Sequence, residues 1–145
     1  MHPKQICDDL AFLGSPLVLD GDDLYIEHPE NVYPELVEFV QSHKKRLIQY
    51  LKGEYSMQDH KVKQTIDKII NYFMGIDQEM NPKIDDWFNH DWDAATKAAR
   101  LLVLFWGNGW RDLNSSVSNF EDEVTDKLSL EIYERAISYF KGKKA

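Results

Sequence analysis

The stretch from Leu17 to Glu27 constrains the fold of this chain more than any other. Leu17 and Leu19 alternate with Val18, an Asp-Gly turn follows, and apolar and polar residues then alternate again. Two short alternating runs around a tight turn predict a β-hairpin. Because a lone hairpin is only marginally stable in water, it has to pack on helices. We therefore predict an α+β fold that is mostly α.

The alternation also assigns the two faces of the hairpin. The face toward the helices is predicted to carry four aliphatic side chains, Leu17, Leu19, Leu24 and Ile26. The opposite face, called here the outward hairpin face, carries Val18, Asp20, Tyr25 and Glu27. Together with Asp22 in the turn, it is a predicted partner-binding site, because a sheet edge can accept a strand from another chain. Alternatively, its acids only blunt the edge and solvate the turn.

Helical spacing precedes the hairpin. Ile6, Leu10 and Leu13 recur at helical intervals, and Gly14 follows them where a helix would stop. This pattern predicts a first helix over residues 3–13.

Two further helices are predicted after the hairpin. Asn31 is a predicted cap and Pro34 suits the first turn of a helix. The apolar stripes of these helices end before Gly53, and the helices are either continuous or bent near Ser42. Residues 1–53 therefore form a predicted αββαα module.

The order of short motifs in this module resembles the TubC-type N-terminal docking domain over about residues 3–53. The motifs are Leu13-Gly14, Leu17-Val18-Leu19, Gly21-Asp22, Leu24-Tyr25-Ile26, Pro34-Glu35-Leu36, His43-Lys44, Leu47-Ile48 and Leu51. The resemblance implies a module that docks subunits of multienzyme synthases, receives a partner's tail at the hairpin and often dimerises. Similar modules also occur in small proteins of bacterial mobile elements, beside replication proteins. The acidic hairpin of this chain favours a basic tail.

The apolar pattern of residues 56–145 predicts a small bundle of three to five helices. Ser56 is a predicted cap for an apolar stripe that ends at Phe73, and Pro82 opens a short helix. Asp91 is predicted to cap a helix whose apolar residues cover most of its circumference, as in helices central to a fold. A last helix is predicted over 124–141. The intervening segments 76–83 and 114–119 are predicted loops.

The stretch from Asp85 to Asp93 is the strongest candidate for chemistry. One histidine among four aspartates is compatible with a metal centre or an acid–base pair. The spacing matches no metal motif, and Asp91 is explained more simply as a helix cap. Alternatively, Trp87 and Trp92 anchor a partner protein on this stretch. We therefore expect no catalytic residue, metal ligand or cofactor, and hence no enzyme.

A formal net charge of −8 excludes a basic footprint over the whole protein. Contact with nucleic acid would need a local patch or a partner. The candidate residues are a basic run on a helix and an aromatic cluster beside a glycine-rich break, namely Lys44, Lys45, Arg46, Trp106, Trp110 and Arg111. Exposed tryptophans could stack on single-stranded bases. The alternatives are core burial of both tryptophans and a solvated face for the cations.

The remaining features favour a cytoplasmic protein with a binding function. Cys7 is the single cysteine, so no intrachain disulfide is expected. No signal peptide is recognised, and the longest apolar run, 101–106, is too short to span a membrane. The leading hypothesis is a non-catalytic adaptor that docks a partner protein at its hairpin, with a homodimer as a further option. The alternative is an accessory subunit of a phage or mobile-element DNA replication complex.

Overall fold

The computed structural model describes residues 2–75, 79, 81–113 and 115–142 of the chain. The structure is 71% helical and contains one two-stranded antiparallel sheet, which confirms the predicted α+β, mostly α class. The chain forms two compact units, Met1–His60 and Lys61–Ala145. No described helix is both long enough and apolar enough to cross a membrane.

The first unit has the predicted order of elements. These are α1 (Pro3–Phe12), β1 (Leu17–Asp20), β2 (Asp23–Ile26), α2 (Pro34–Ser42) and α3 (Lys44–Leu51). Pro34 occupies the first turn of α2, and the backbone breaks at His43, so a break near Ser42 is confirmed. Asn31 is not the cap that we predicted: it lies in a 3-10 turn, and Tyr33 precedes α2 without a side-chain cap.

The hairpin register places the aliphatic side chains together on one face. Leu17 pairs with Ile26, and Leu19 pairs with Leu24. Gly21 has a φ of +61° at the first position of the two-residue turn, as a type II′ turn requires. Leu17, Leu24 and Ile26 pack against the buried core of this unit, which is formed by Ile6, Leu10, Val32, Leu36, Val40 and Leu47. The predicted inward face is therefore confirmed for these three residues.

Four α-helices follow, α4 (Met57–Met74), α5 (Asn81–His90), α6 (Trp92–Gly107) and α7 (Glu123–Gly142). At the start of α4, Ser56 Oγ accepts the Asp59 N–H at 3.0 Å and the Asp59 carboxylate accepts the Ser56 N–H at 2.9 Å. This reciprocal capping box confirms Ser56 as a cap. Parts of the predicted loops, residues 76–78, 80 and 114, lie outside the described residues.

The core of the second unit is built around one face of α6, which packs against α5 and α7. Ala94, Ala98, Leu101 and Phe105 are each at most 1% exposed along this face. Their spacing of three and four residues is that of a buried helical stripe.

Candidate functional site

The outward hairpin face presents an apolar centre between acids. The register pairs Val18 with Tyr25, so their side chains lie side by side. Tyr25 is 49% exposed, and Val18 is half-buried. Asp20 follows Val18 by two residues, and Glu27 follows Tyr25 by two residues. Both acids are exposed on the same face.

The ladder also determines which backbone groups of the hairpin point outward. Glu27 N–H donates to Pro16 O at 3.0 Å, so these two residues are a hydrogen-bonded pair. Along an antiparallel ladder, every second cross-strand pair counted from this one is also hydrogen-bonded. Leu17 and Leu19 fall between these pairs and direct their N–H and C=O groups away from β2. Among the described residues, none provides a further hydrogen bond to them. The outer edge of β1 therefore retains backbone groups that a further strand could pair with.

Two acids of the turn already have cations within the chain. Lys52 Nζ donates to Asp22 at 2.8 Å, and Lys44 Nζ lies 2.6 Å from Asp23. The hydrogen bond from Lys52 lowers the pKa of Asp22, and the one from Lys44 lowers the pKa of Asp23. These pairs are largely solvated, so they contribute little to stability. The predicted preference for a basic partner consequently rests on Asp20 and Glu27, the two acids of the outward hairpin face. Neither of them has an ion pair with another described residue.

The two tryptophans predicted to anchor a partner have opposite environments. Trp87 is 1% exposed and packs in the core between Phe88 and Phe140, so it cannot serve as a surface anchor. Trp92 is 82% exposed at the start of α6. The prediction for Trp87 is wrong because the buried stripe of α5 passes through it. Trp92 belongs to the next helix, α6, and lies on the side opposite its buried stripe.

Asp91 is the centre of a structural network. Its carboxylate accepts the Ala94 N–H at 3.2 Å, which confirms the predicted cap of α6, and the Trp87 indole N–H at 3.3 Å. Arg135 donates to the same carboxylate through two nitrogens at 2.7–3.1 Å and also pairs with Asp93 at 3.1 Å. Arg135 lies 44 residues away in sequence, and no local pattern points to it.

The other titratable groups of this stretch also have partners. His90 Nδ1 lies 3.7 Å from Asp86, and the Tyr139 hydroxyl donates to Asp86. Within the described parts of the chain, no three His, Cys, Asp or Glu side chains are placed to hold a metal ion. The Tyr72 hydroxyl donates to Asp85 at 2.9 Å, so each of the four acids of 85–93 has a structural partner in a helix cap, an ion pair or a tyrosine hydrogen bond.

The Asp91 network predicts a pH dependence of stability. The hydrogen bond from Arg135 is the largest of the effects that lower the pKa of Asp91, and burial opposes it. A carboxyl whose pKa is lower in the folded than in the unfolded protein stabilises the fold above its unfolded pKa, and this stabilisation is lost as the pH falls through the folded pKa. We expect Asp91→Asn to reduce the free energy of unfolding at neutral pH, with a difference from the wild type that shrinks toward pH ~2. Urea titrations over this range would measure it. A constant difference would contradict this origin.

The aromatic part of the nucleic-acid candidate is only partly accessible. Trp106 is 49% exposed, and the Arg111 guanidinium lies 4.2 Å from the centroid of its ring. Trp110 is 2% exposed and donates its indole N–H to Ser115 O at 3.1 Å. The stacking role predicted for Trp110 is therefore wrong, because its ring fills the core after the break in the helix.

The basic part of the nucleic-acid candidate, which belongs to the first unit, is also only partly accessible. Arg46 is 6% exposed, and Lys44 pairs with Asp23 in the hairpin turn. Lys45 is exposed. The three cations therefore do not form one solvated basic face, because the helical turn directs Arg46 into the unit.

The structure shows two features that the sequence analysis missed. First, α6 has a second, solvent-exposed apolar face with Trp92, Val103 and Trp106, which are 82%, 70% and 49% exposed. The apolar residues that cover most of the circumference of this helix are therefore not all buried. Val103 follows Trp92 by eleven residues, and Trp106 follows Val103 by three. On a helix these spacings place the three residues opposite the buried stripe, so the sequence could have predicted this face.

The second missed feature is a buried ion cluster. Lys63 pairs with Glu121 and lies 2.6 Å from Asp126. The side chains of Lys63 and Glu121 are each 8% exposed. No local pattern in the sequence points to this cluster, because the two partners of Lys63 lie 58 and 63 residues away.

Comparison with family models, with curated proteins and with solved structures gave no match to this chain. The resemblance of residues 3–53 to the TubC-type docking domain therefore stays a prediction. The class that the geometry defines is a mostly α protein whose exposed two-stranded sheet is supported by helices.

Proposed function

We propose that this protein is a non-catalytic docking or adaptor protein that binds an extended segment of a partner protein at its hairpin. The observation that carries the proposal is the pair of half-buried Val18 and exposed Tyr25 between Asp20 and Glu27. An aromatic side chain surrounded by a polar rim is typical of the centre of a protein interface. No membrane attachment or cofactor enters this proposal, and its setting is the cytoplasm.

The backbone of β1 supports strand addition as the binding mode. A partner strand would pair with the outward N–H and C=O groups of Leu17 and Leu19, and this pairing would supply affinity that does not depend on sequence. Side chains of the outward hairpin face would supply the specificity. Apolar partner residues would contact Val18 and Tyr25, and Lys or Arg residues would complement Asp20 and Glu27. The same edge could alternatively accept a second copy of this chain.

Selection from a display library of extended peptides tests this chemistry and does not require the partner to be identified first. We expect the selected peptides to alternate apolar residues with Lys or Arg. Tyr25→Lys should weaken their binding roughly tenfold or more, or about 1.4 kcal/mol, because it removes the aromatic anchor and adds a like charge. Titration of fluorescently labelled peptides against the full-length protein measures the change.

Tyr33→Lys is the matched control, since Tyr33 is a 57% exposed tyrosine outside the hairpin. We expect this variant to bind the peptides as the wild type does. Val18→Asp provides a second disruption of the outward hairpin face, and circular dichroism verifies that each variant is folded. Peptides that bind Tyr25→Lys and Val18→Asp with undiminished affinity would refute hairpin docking.

The stacked pair of Trp106 and Arg111 favours a second candidate function, that of an accessory subunit in a mobile-element replication complex. An exposed indole with an adjacent guanidinium is a geometry that can stack on single-stranded bases. Binding of an oligothymidylate that weakens steeply with salt and is lost in Trp106→Ala would favour this candidate over peptide docking.

A further inference from the structure

The second unit contains an apolar cavity of about 300 Å³ that opens between α4, α5 and α7. Its wall is formed mainly by buried or half-buried apolar side chains, Ile69, Ile84, Trp87, Ala136, Ile137 and Phe140. Protein interiors rarely leave voids larger than a water molecule. A recess of this size with an apolar wall has the dimensions and the lining of small-molecule sites.

The polar side chains that line the cavity carry ammonium or hydroxyl groups. Lys68 and Lys141 line it and are exposed, and neither has an ion pair with any residue in the described ranges. Tyr133 also lines it, and within the same ranges its hydroxyl has no hydrogen-bond partner. Two cations and the Tyr133 hydroxyl therefore adjoin an apolar recess in a protein whose formal net charge is −8, whereas the Thr65 hydroxyl, which also lines it, donates to Lys61 O at 3.0 Å.

These lysines differ from several others in the chain, although Lys61 and Lys127 likewise have no ion pair with a described residue. Lys4, Lys52, Lys63 and Lys97 each pair with a carboxylate of the chain. Because two lysines without an ion pair in the described ranges lie together beside one apolar cavity, an anionic ligand would complement their charge.

We propose that this cavity binds an amphipathic anion, a medium-chain carboxylate whose apolar tail occupies the cavity and whose carboxylate contacts Lys68 and Lys141. Tyr133, which also lines the cavity, would donate a further hydrogen bond to the carboxylate. The apolar wall provides most of the binding free energy through burial of the tail, and the two lysines select the charge of the head group. This site is independent of the hairpin and of the docking function proposed for it.

Three ligands that share one tail test the proposal on the full-length protein. Isothermal titration with octanoate, octanol and octylammonium compares an anionic, a neutral and a cationic head group. We expect octanoate to bind most tightly, octanol roughly tenfold more weakly, and octylammonium more weakly still. Equal affinity for octanoate and octanol would overturn the proposal, because the lysines would then have no role. Failure of all three to bind would also overturn it and would leave a partner protein as the occupant.

Variants assign the binding to this cavity. The double variant Lys68→Gln/Lys141→Gln should lose about tenfold in affinity for octanoate and keep its affinity for octanol. Lys127→Gln is the matched control, since this exposed lysine is on α7 about 21 Å along the helix from Lys141. An equal loss in the control would show a general charge effect and would overturn the assignment.

Filling the recess provides a second, independent variant. Ala136→Leu adds volume at the wall and should abolish the binding of octanoate and octanol alike. A melting experiment without ligand verifies that this variant is folded. Undiminished octanoate binding by the folded variant would place the ligand elsewhere and overturn the proposal.

Discussion

Trp87→Ala is expected to lower the free energy of unfolding by about 3–5 kcal/mol, whereas Trp92→Ala is expected to change it by less than about 0.5 kcal/mol. The two residues belong to the same acidic-aromatic stretch, but Trp87 is 1% exposed and Trp92 is 82% exposed. Removal of the Trp87 ring leaves a cavity beside Phe88 and Phe140 and removes the hydrogen bond to Asp91. Chemical denaturation followed by far-UV circular dichroism measures both changes.

Hydrogen exchange assigns the loss to the correct part of the chain. In Trp87→Ala, amide protection should fall in α5 and α7, which carry Phe88 and Phe140 beside the indole. Trp92→Ala serves as the control for removal of an indole as such. Similar losses in the two variants would contradict the burial that separates these residues.

Lys63→Met is expected to lower the free energy of unfolding by about 3–5 kcal/mol, because it leaves Glu121 buried without its cation. The side chains of Lys63 and Glu121 are each 8% exposed, and Lys63 also lies 2.6 Å from Asp126. A methionine fills a similar volume, so the expected loss arises from removal of the ion pair and not from a cavity. Urea unfolding at neutral pH measures it.

A double variant separates charge from packing in this cluster. Lys63→Met/Glu121→Met should recover most of the loss, since replacing both buried charges by apolar groups is often neutral or stabilising. Lys4→Met is the control, because its pair with Asp8 is exposed and should contribute little to stability. A double variant as unstable as the single one would show that the packing around Lys63 dominates.

Local patterns predicted the elements whose causes lie within a few residues of chain. The II′ turn at Gly21, Pro34 in the first turn of α2, and the caps Ser56 and Asp91 each depend on backbone geometry and on neighbours three or four positions away. Asn31 shows the limit of this reasoning, because a residue suited to a cap instead lies in a 3-10 turn.

Long-range packing decided the candidate sites. Spacing placed Val18 and Tyr25 together on one hairpin face, and the ladder register has the same pairing. Spacing did not reveal that Lys44 and Lys52 would neutralise two acids of the hairpin turn, since these cations come from a different part of the chain, at the two ends of α3.

The sequence by itself determined the class of fold, the hairpin and most helix ends, because periodicity, turn residues and caps act over short stretches of chain. Only the tertiary structure decided which aromatic side chains are buried. Trp87 and Trp110 are in the core while Trp92 and Trp106 are exposed. The tertiary structure also brought Arg135 to Asp91 and created the apolar cavity beside α7. The physical reason is that burial and ion pairing depend on contacts between helices far apart in sequence, and composition and spacing do not encode the distances between them.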